Sequence, residues 1–351
     1  MRLSVVLFVP LVAMTVGGCA STRAHRADLA SRRELRRAAM ECLKAAVHYE
    51  ANPAVRVAGV EALESSAPQS GLAWIRLALR DKHPAVLFAA CVAVGRLRDD
   101  ASRDRVYALL AHDDANVRVA SLFALHRLGD ATRTGKLATY LLEHEDVSVR
   151  RNTAMVLGFL GEPGAIKLLA RAMRDGKTGA DHYVLEAMAV LGNTEACQEL
   201  TFMTNRGVGS EEVFAVLALA RTLDPRYRDT FRYKLSTGTH LETKIAAAQG
   251  LGMLGEADGF DLAMRALRAA RPRKGDPHDP PEVQVLRVKV MALAALGAIG
   301  RMEALPALAK LLADGRDPRL QVAAARAVLD VLRANPVGAF PLDAAGEAWR
   351  R

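Results

Sequence analysis

A column of mostly apolar residues recurs along nearly the whole chain: Val55, Val86, Val117, Val149, Ala180, Glu211, Thr243, Val288 and Leu320. The steps are 31, 31, 32, 31, 31, 32, 45 and 32 residues. Counting from each column residue, apolar or small side chains follow four, seven, eight and eleven positions later. They are Ala90, Ala93, Val94 and Leu97 in the second unit, and Ala292, Ala295, Leu296 and Ile299 in the eighth. That spacing puts one stripe on one face of a 3.6-residue helix, so each unit opens with an amphipathic helix. The fit is weakest in the sixth unit, where Glu211 and Thr222 occupy apolar positions and a one-residue shift fits equally well.

Cap chemistry agrees with this phasing. Asn52-Pro53, His83-Pro84 and Asp317-Pro318 precede the helices, with proline suited to the first helical position and Asn or Asp able to accept the free N–H groups. Twelve residues after the column stand Gly129, Gly161, Gly192, Gly255 and Gly300, placed for the left-handed residue that ends a helix. A second apolar pattern follows, with Ile75/Leu79, Val106/Leu110, Leu137/Leu141, Leu169/Met173, Phe231/Leu235, Ala263/Leu267 and Leu308/Leu312 as core positions. A fixed period with two helices per unit predicts an all-α solenoid of about nine two-helix repeats.

The stretches Asp114-Ala-Asn-Val-Arg118-Val-Ala120 and Asp146-Val-Ser-Val-Arg150, running on to Leu128-Gly129 and Leu160-Gly161, resemble HEAT repeats. They are most similar to the short bacterial form called the phycobilisome-lyase HEAT-like type. The resemblance covers roughly residues 51–335 and implies a right-handed α-solenoid. It also implies that the second helices line the concave surface and that Asp/Arg pairs such as Asp114/Arg118 and Asp146/Arg150 form an internal ladder. Fold does not fix activity, because one scaffold carries unrelated functions.

The N-terminus has a different character. Arg2 is followed by an apolar run from Leu3 to Val16, too short and too interrupted for a comfortable membrane span and suited to a secretory signal. It ends in Val16-Gly17-Gly18-Cys19, which resembles the lipobox of bacterial lipoproteins. The resemblance implies that residues 1–18 are a signal peptide and that Cys19 is acylated. Two or more acyl chains give a stable anchor. Residues 19–28 then read as a short tether. Residues 29–50 read as a basic helix whose stripe of Leu35, Ala39, Cys42, Leu43 and Ala46 caps the first unit, with Arg32, Arg33, Arg36, Arg37 and Lys44 on its other faces.

Catalytic and metal signals are sparse. No GxSxG, P-loop or CxxC pattern is present, and no two histidines share a helix at i, i+4. A site built from repeated His-Glu pairs needs several, and the chain has His144-Glu145 alone. His83, His112, His144 and His240 recur near unit boundaries and read as turn and capping residues. Cys42, Cys91 and Cys197 read as buried free thiols. Cys91 and Cys197 lie three units apart at about 10 Å per unit, beyond the ~7 Å reach of a disulfide.

Composition shapes the functional expectation. Forty-eight Lys and Arg against 39 Asp and Glu give a formal charge of +9, and the second helices carry much of the excess. An anionic partner is expected, such as an acidic protein face. The export signal argues against nucleic acid. The expectation is a non-catalytic scaffold without a cofactor or metal, lipid-anchored in the cell envelope and facing the periplasm or exterior. The alternative is a HEAT-like repeat enzyme or a chromophore- or metal-binding protein. Candidate binding residues are Arg171, Arg174, Arg265, Arg268, Arg271, Arg273 and Lys274. The last three fall in the proline-rich insertion 270–282 that lengthens the seventh step to 45 residues, and insertions in repeat arrays emerge on one face. Residues 336–351 read as a C-terminal tail.

Overall fold

A computed structural model describes residues 18–176, 179, 181–207, 209–269 and 279–336. Among them all regular structure is helical, with eighteen α-helices and three short 3-10 turns. The chain is an all-α array of helix pairs, as the periodicity predicts. The first helices are α2 (Pro53–Ser66), α4 (Pro84–Leu97), α6 (Ala115–Arg127), α8 (Val147–Leu160), α10 (Asp181–Val190), α12 (Ser210–Arg221), α14 (Leu241–Met253), α16 (Pro281–Ile299) and α18 (Pro318–Ala334). The second helices are α3 (Pro68–Ala78), α5 (Arg103–Leu109), α7 (Lys136–Leu142), α9 (Ala165–Asp175), α11 (Thr194–Arg206), α13 (Arg228–Thr237), α15 (Phe260–Ala269) and α17 (Leu305–Asp314).

The column residues Val55, Val86, Val117, Val149, Thr243 and Val288 are buried, while Ala180 lies outside the described residues. In the sixth unit the one-residue shift holds: Glu211 is exposed and Glu212 is buried in the column position. The caps form as their chemistry dictates. Asn52, His83, Asp114, Asp146 and Asp317 each accept from a backbone N–H two residues on. Gly129, Gly161, Gly192, Gly255 and Gly300 all take positive φ.

The Asp/Arg motif works differently from a rung between neighbouring units. Asp114 and Asp146 are spent on the caps. Arg118 reaches back to the carbonyls of His112 and Asp113, and Arg150 to those of His144 and Glu145. Each arginine therefore braces the turn that leads into its own helix. Arg56, one residue after the column in the first unit, also ties forward, through Nε to Asp81 Oδ2 at 2.8 Å, and Arg118 Nε donates forward to the Tyr140 hydroxyl at 2.9 Å.

The array closes on itself. First helices pack side by side in order from α2 to α18, and α18 then packs on α2. Nine pairs share the full turn, about 40° each. The second helices pack against first helices and scarcely meet one another. In a ring the layer with closer neighbours is the inner one, so the first helices line the axis and the second helices form the perimeter. The expectation that the second helices line a concave surface is corrected by this closure.

Close approach of the inner helices follows from a seam of small residues nine positions after the column. A Cβ on Gly95 would meet the Phe123 ring at 2.7 Å, and one on Gly252 would meet the Ile299 backbone nitrogen at 2.6 Å. Alanines fill much of the same interface, among them Ala90, Ala120, Ala124, Ala247, Ala295 and Ala325, all fully buried.

Helix α1 (Gly18–Val47) completes the ring. After α18 no second helix follows among the described residues. Instead α1 packs on α18 and α2 in the way α3 packs on α2 and α4. The ninth pair thus joins the last helix to the first. Ala39, Leu43, Ala46 and Val47 are buried in one apolar cluster with Val322, Ala325, Val328 and Val331. Full burial of each large apolar side chain contributes about 1.5–3 kcal/mol. The expected cap is therefore also the closing element. It starts at Gly18, the last residue of the expected signal peptide, and runs through the stretch expected as a tether. Most of the insertion expected at 270–282 lies outside the described residues, and α16 begins at Pro281.

Candidate binding surfaces

On the perimeter, Arg171 and Arg174 lie exposed on α9, and Arg265 and Arg268 lie exposed on α15. Two outer helices, α11 and α13, stand between them, so the four arginines form two groups and not one patch. Arg171 has a loose ion pair with Asp175 at 3.7 Å. Arg174, Arg265 and Arg268 make no ion pair among the described residues. Arg271, Arg273 and Lys274 lie outside the described residues, directly after α15. Cys19 falls in the first turn of α1, and its side chain also lies outside them.

Many other perimeter cations are committed to holding the ring. Arg76 makes a forked contact to Asp99, at 2.6 and 2.8 Å, across to the next unit. Arg232 reaches Glu256 at 2.7 Å in the same way, and Arg228 pairs with that carboxylate too. Lys234 is buried and meets Glu212 Oε1 at 3.1 Å, while Thr243 donates to Glu212 Oε2 at 2.9 Å. Glu212, which takes the sixth unit's column position, is thus satisfied inside the core by Lys234 and Thr243. Only part of the basic excess counted from sequence is available to a partner.

A second charged group gathers around the ring axis, and the sequence reading passed over it. Glu61 and Glu64 come from α2, Arg96 from α4, Glu186 from α10, Arg221 from α12, and Arg326 and Asp330 from α18. Arg96 Nε meets Glu64 at 3.0 Å, and its guanidinium lies 5.0 Å from the centre of the Phe159 ring, spanning from α4 to α8 past α6. Arg221 pairs with Glu186. Glu61 is exposed toward the axis, yet the protein atoms crowded around it desolvate its carboxyl and push it above its usual range, Glu64 adds to the rise, and Arg326, Arg221 and Arg96 oppose it. A signal did exist in the sequence. Six of these seven residues stand six or ten positions after their columns and Glu64 nine, where most other units carry apolar or small residues, with Gln249, Arg127 and His126 as exceptions.

Three of the four boundary histidines take the expected turn roles, while His240 precedes α14 without a side-chain cap bond. The Nδ1 atoms of His83, His112 and His144 accept from the N–H groups of Ala85, Asp114 and Asp146. Cys91 is fully buried, and desolvation pushes its thiol up to about 12; Cys42 is half-buried and raised to about 11. Cys197 is half-buried rather than buried, and all three are free. Among the described residues no three His, Cys, Asp or Glu side chains converge as metal ligands, and no helix is long and apolar enough to cross a membrane.

The profile of the HEAT-repeat family matches residues 40–126 and 104–189. No curated protein matches. Among solved structures, the CpcE–CpcF complex of phycocyanin lyase from Nostoc sp. PCC7120 is 20% identical, over 74% of this chain and 94% of that one, with a TM-score of 0.37. Human deoxyhypusine hydroxylase in complex with glycerol is 16% identical, over 88% and 99%, also at 0.37. HEAT repeats are therefore found in the first half of the chain, within an all-α ring of helix pairs.

Proposed function

We propose that this protein is a non-catalytic HEAT-repeat scaffold, tethered to a membrane of the cell envelope through lipid on Cys19, that binds a protein or another anionic partner. The reading rests on one observation: Arg174, Arg265 and Arg268 are exposed on outer helices with no carboxylate committed to them. Cations held without partners on a rigid scaffold favour an anionic surface and speed encounter with it. The tether is supported by Val16-Gly17-Gly18-Cys19 after the apolar run. Ala39, the first buried residue among the described side chains of α1, lies twenty positions after Cys19. At 1.5 Å per residue, α1 would hold the ring about 30 Å from the acyl chains.

Two experiments test the parts separately. Crosslinking in membranes should recover a partner from wild type, with recovery falling as salt rises, and lose it in the Arg265→Ser/Arg268→Ser double variant. Equal recovery from both would remove the perimeter site. Labelled fatty acid should enter wild type and be absent from Cys19→Ser, with that variant released from membranes. Equal labelling of the two would remove the anchor.

A further inference from the structure

Five of the repeats end their first helix on a glycine with positive φ, twelve residues after the column. In the second repeat that position is Arg98, which takes the same left-handed conformation at φ 53°. A side chain there is strained where glycine is not. Strain of this kind persists where the side chain is put to use. Leu223, the other described non-glycine residue with positive φ, stands at the matching position of the sixth repeat.

Arg127 ends α6, ten residues after its column, at the position Arg96 holds on the neighbouring helix α4. The Arg98 and Arg127 side chains therefore emerge at the same end of adjacent inner helices. The Arg127 Nε is shut off from solvent and meets no acceptor. Burial lowers the affinity of Arg127 for its proton, and the charges of Arg98 and Arg96 lower it further.

The surrounding carboxylates are all committed elsewhere. Glu64 holds Arg96, Asp99 holds Arg76, Asp100 holds Arg103, and Glu162 meets His126 at 2.7 Å. Asp130 accepts from Thr132 and Tyr107. Among the described residues the two neighbouring guanidiniums are left with no carboxylate partner, one with an enclosed donor unused. An orphaned buried donor is costly unless something accepts from it.

We propose that Arg98 and Arg127 form a binding site for one phosphate group of a small soluble molecule. Two uncompensated positive charges match a dianion, and guanidinium forks present paired N–H donors to its oxygens. The enclosed Nε and the left-handed Arg98 backbone define a site for a single group rather than a diffuse field, and the two guanidinium charges outweigh the partial negative charge of the helix C-termini they stand on. The site is separate from the perimeter arginines and does not depend on the scaffold reading.

The probe is inorganic phosphate, titrated calorimetrically into the full chain against chloride at matched ionic strength. Wild type should bind it saturably, one per chain, and melt higher in its presence. Arg127→Met should weaken that binding by at least about tenfold. Arg98→Gly relieves the strained backbone, so it should melt higher than wild type without phosphate and gain less from adding it. Phosphate stabilisation of equal size in wild type and Arg98→Gly, or heat that never saturates in wild type, would overturn the assignment.

Discussion

Arg333, in the last helix of the ring, donates through Nη1 to the carbonyl of Ser65 at the end of the first repeat's inner helix, 2.5 Å away across 268 residues of sequence. The bond lies at the surface and contributes little by itself. It marks the line where α18 meets α2, and the apolar contacts of α1 hold that line shut. Leu43→Ala should therefore cost about 2–5 kcal/mol in denaturant unfolding, although Leu43 lies near one end of the chain. Amide exchange should speed up in α18 as much as in α2. Loss of protection in α2 alone would mean that the ends behave as an open array.

The small-residue seam sets how tightly the inner helices approach. Gly252→Val would drive a branched side chain into the Ile299 backbone nitrogen and the carbonyl carbon of Ala298, which lie 2.6 and 2.8 Å from an added Cβ. Overpacking of this kind typically costs about 1–3 kcal/mol. Thermal melting should show the loss. A variant as stable as wild type would indicate that α14 and α16 can separate freely.

The buried Glu212–Lys234 pair makes a graded prediction. Glu212→Ala leaves an ammonium unpaired in the core and should cost about 3–5 kcal/mol. Replacing both partners with apolar residues, as in Glu212→Leu/Lys234→Met, should recover most of that loss, because neither charge is then buried alone. Urea titration of the two variants decides it. Equal destabilisation in both would show that Thr243 and packing, not the ion pair, carry the effect.

Glu61 should be a liability at neutral pH. Its folded pKa lies above the ordinary 4.5, so the folded chain holds its proton more firmly than the unfolded chain does. Stability linked to this group is complete below 4.5 and falls as pH rises through the higher folded value. Glu61→Gln should then melt higher than wild type at pH 7, with the gap closing in acid. A lower melting temperature at pH 7 would mean that Arg221 and Arg326 depend on this carboxylate more than desolvation opposes it.

Asp99 and Asp130 act in the opposite direction. Hydrogen bonds from Arg76 and then Ser102 hold the Asp99 carboxyl below 3.8, and those from Thr132 and Tyr107 hold Asp130 at about 2. Depressed folded values mean that the stabilisation is present above 3.8 and disappears as pH falls toward 2. Asp99→Asn should lower stability at pH 7 and flatten the acid limb of a melting-temperature profile between those values. An unchanged acid limb would show that the Arg76–Asp99 tie contributes nothing.

The sequence by itself determined the helices and their register, because those features are local. A 3.6-residue apolar period, a proline at the first helical position and a glycine twelve residues after the column each act over one or two turns. Even the sixth unit's ambiguity was visible, since Glu211 and Glu212 competed for one buried position, and it took Lys234 and Thr243 to choose between them. The perimeter arginines could likewise be placed on second helices from spacing alone.

Only the tertiary structure decided which layer faces the axis, which cations are spent on neighbouring units, and that the array closes. Curvature accumulates from small rotations at every interface between inner helices, and each depends on how closely seams such as Gly95 against Phe123 approach. No single window of sequence carries that sum. Among the described residues, Leu320 and its neighbours open a ninth unit with no second helix after it, while Ala39 and Leu43 offer an apolar stripe with no first helix before it. Those two incomplete halves satisfy each other only because nine small turns bring residues 43 and 328 into one core.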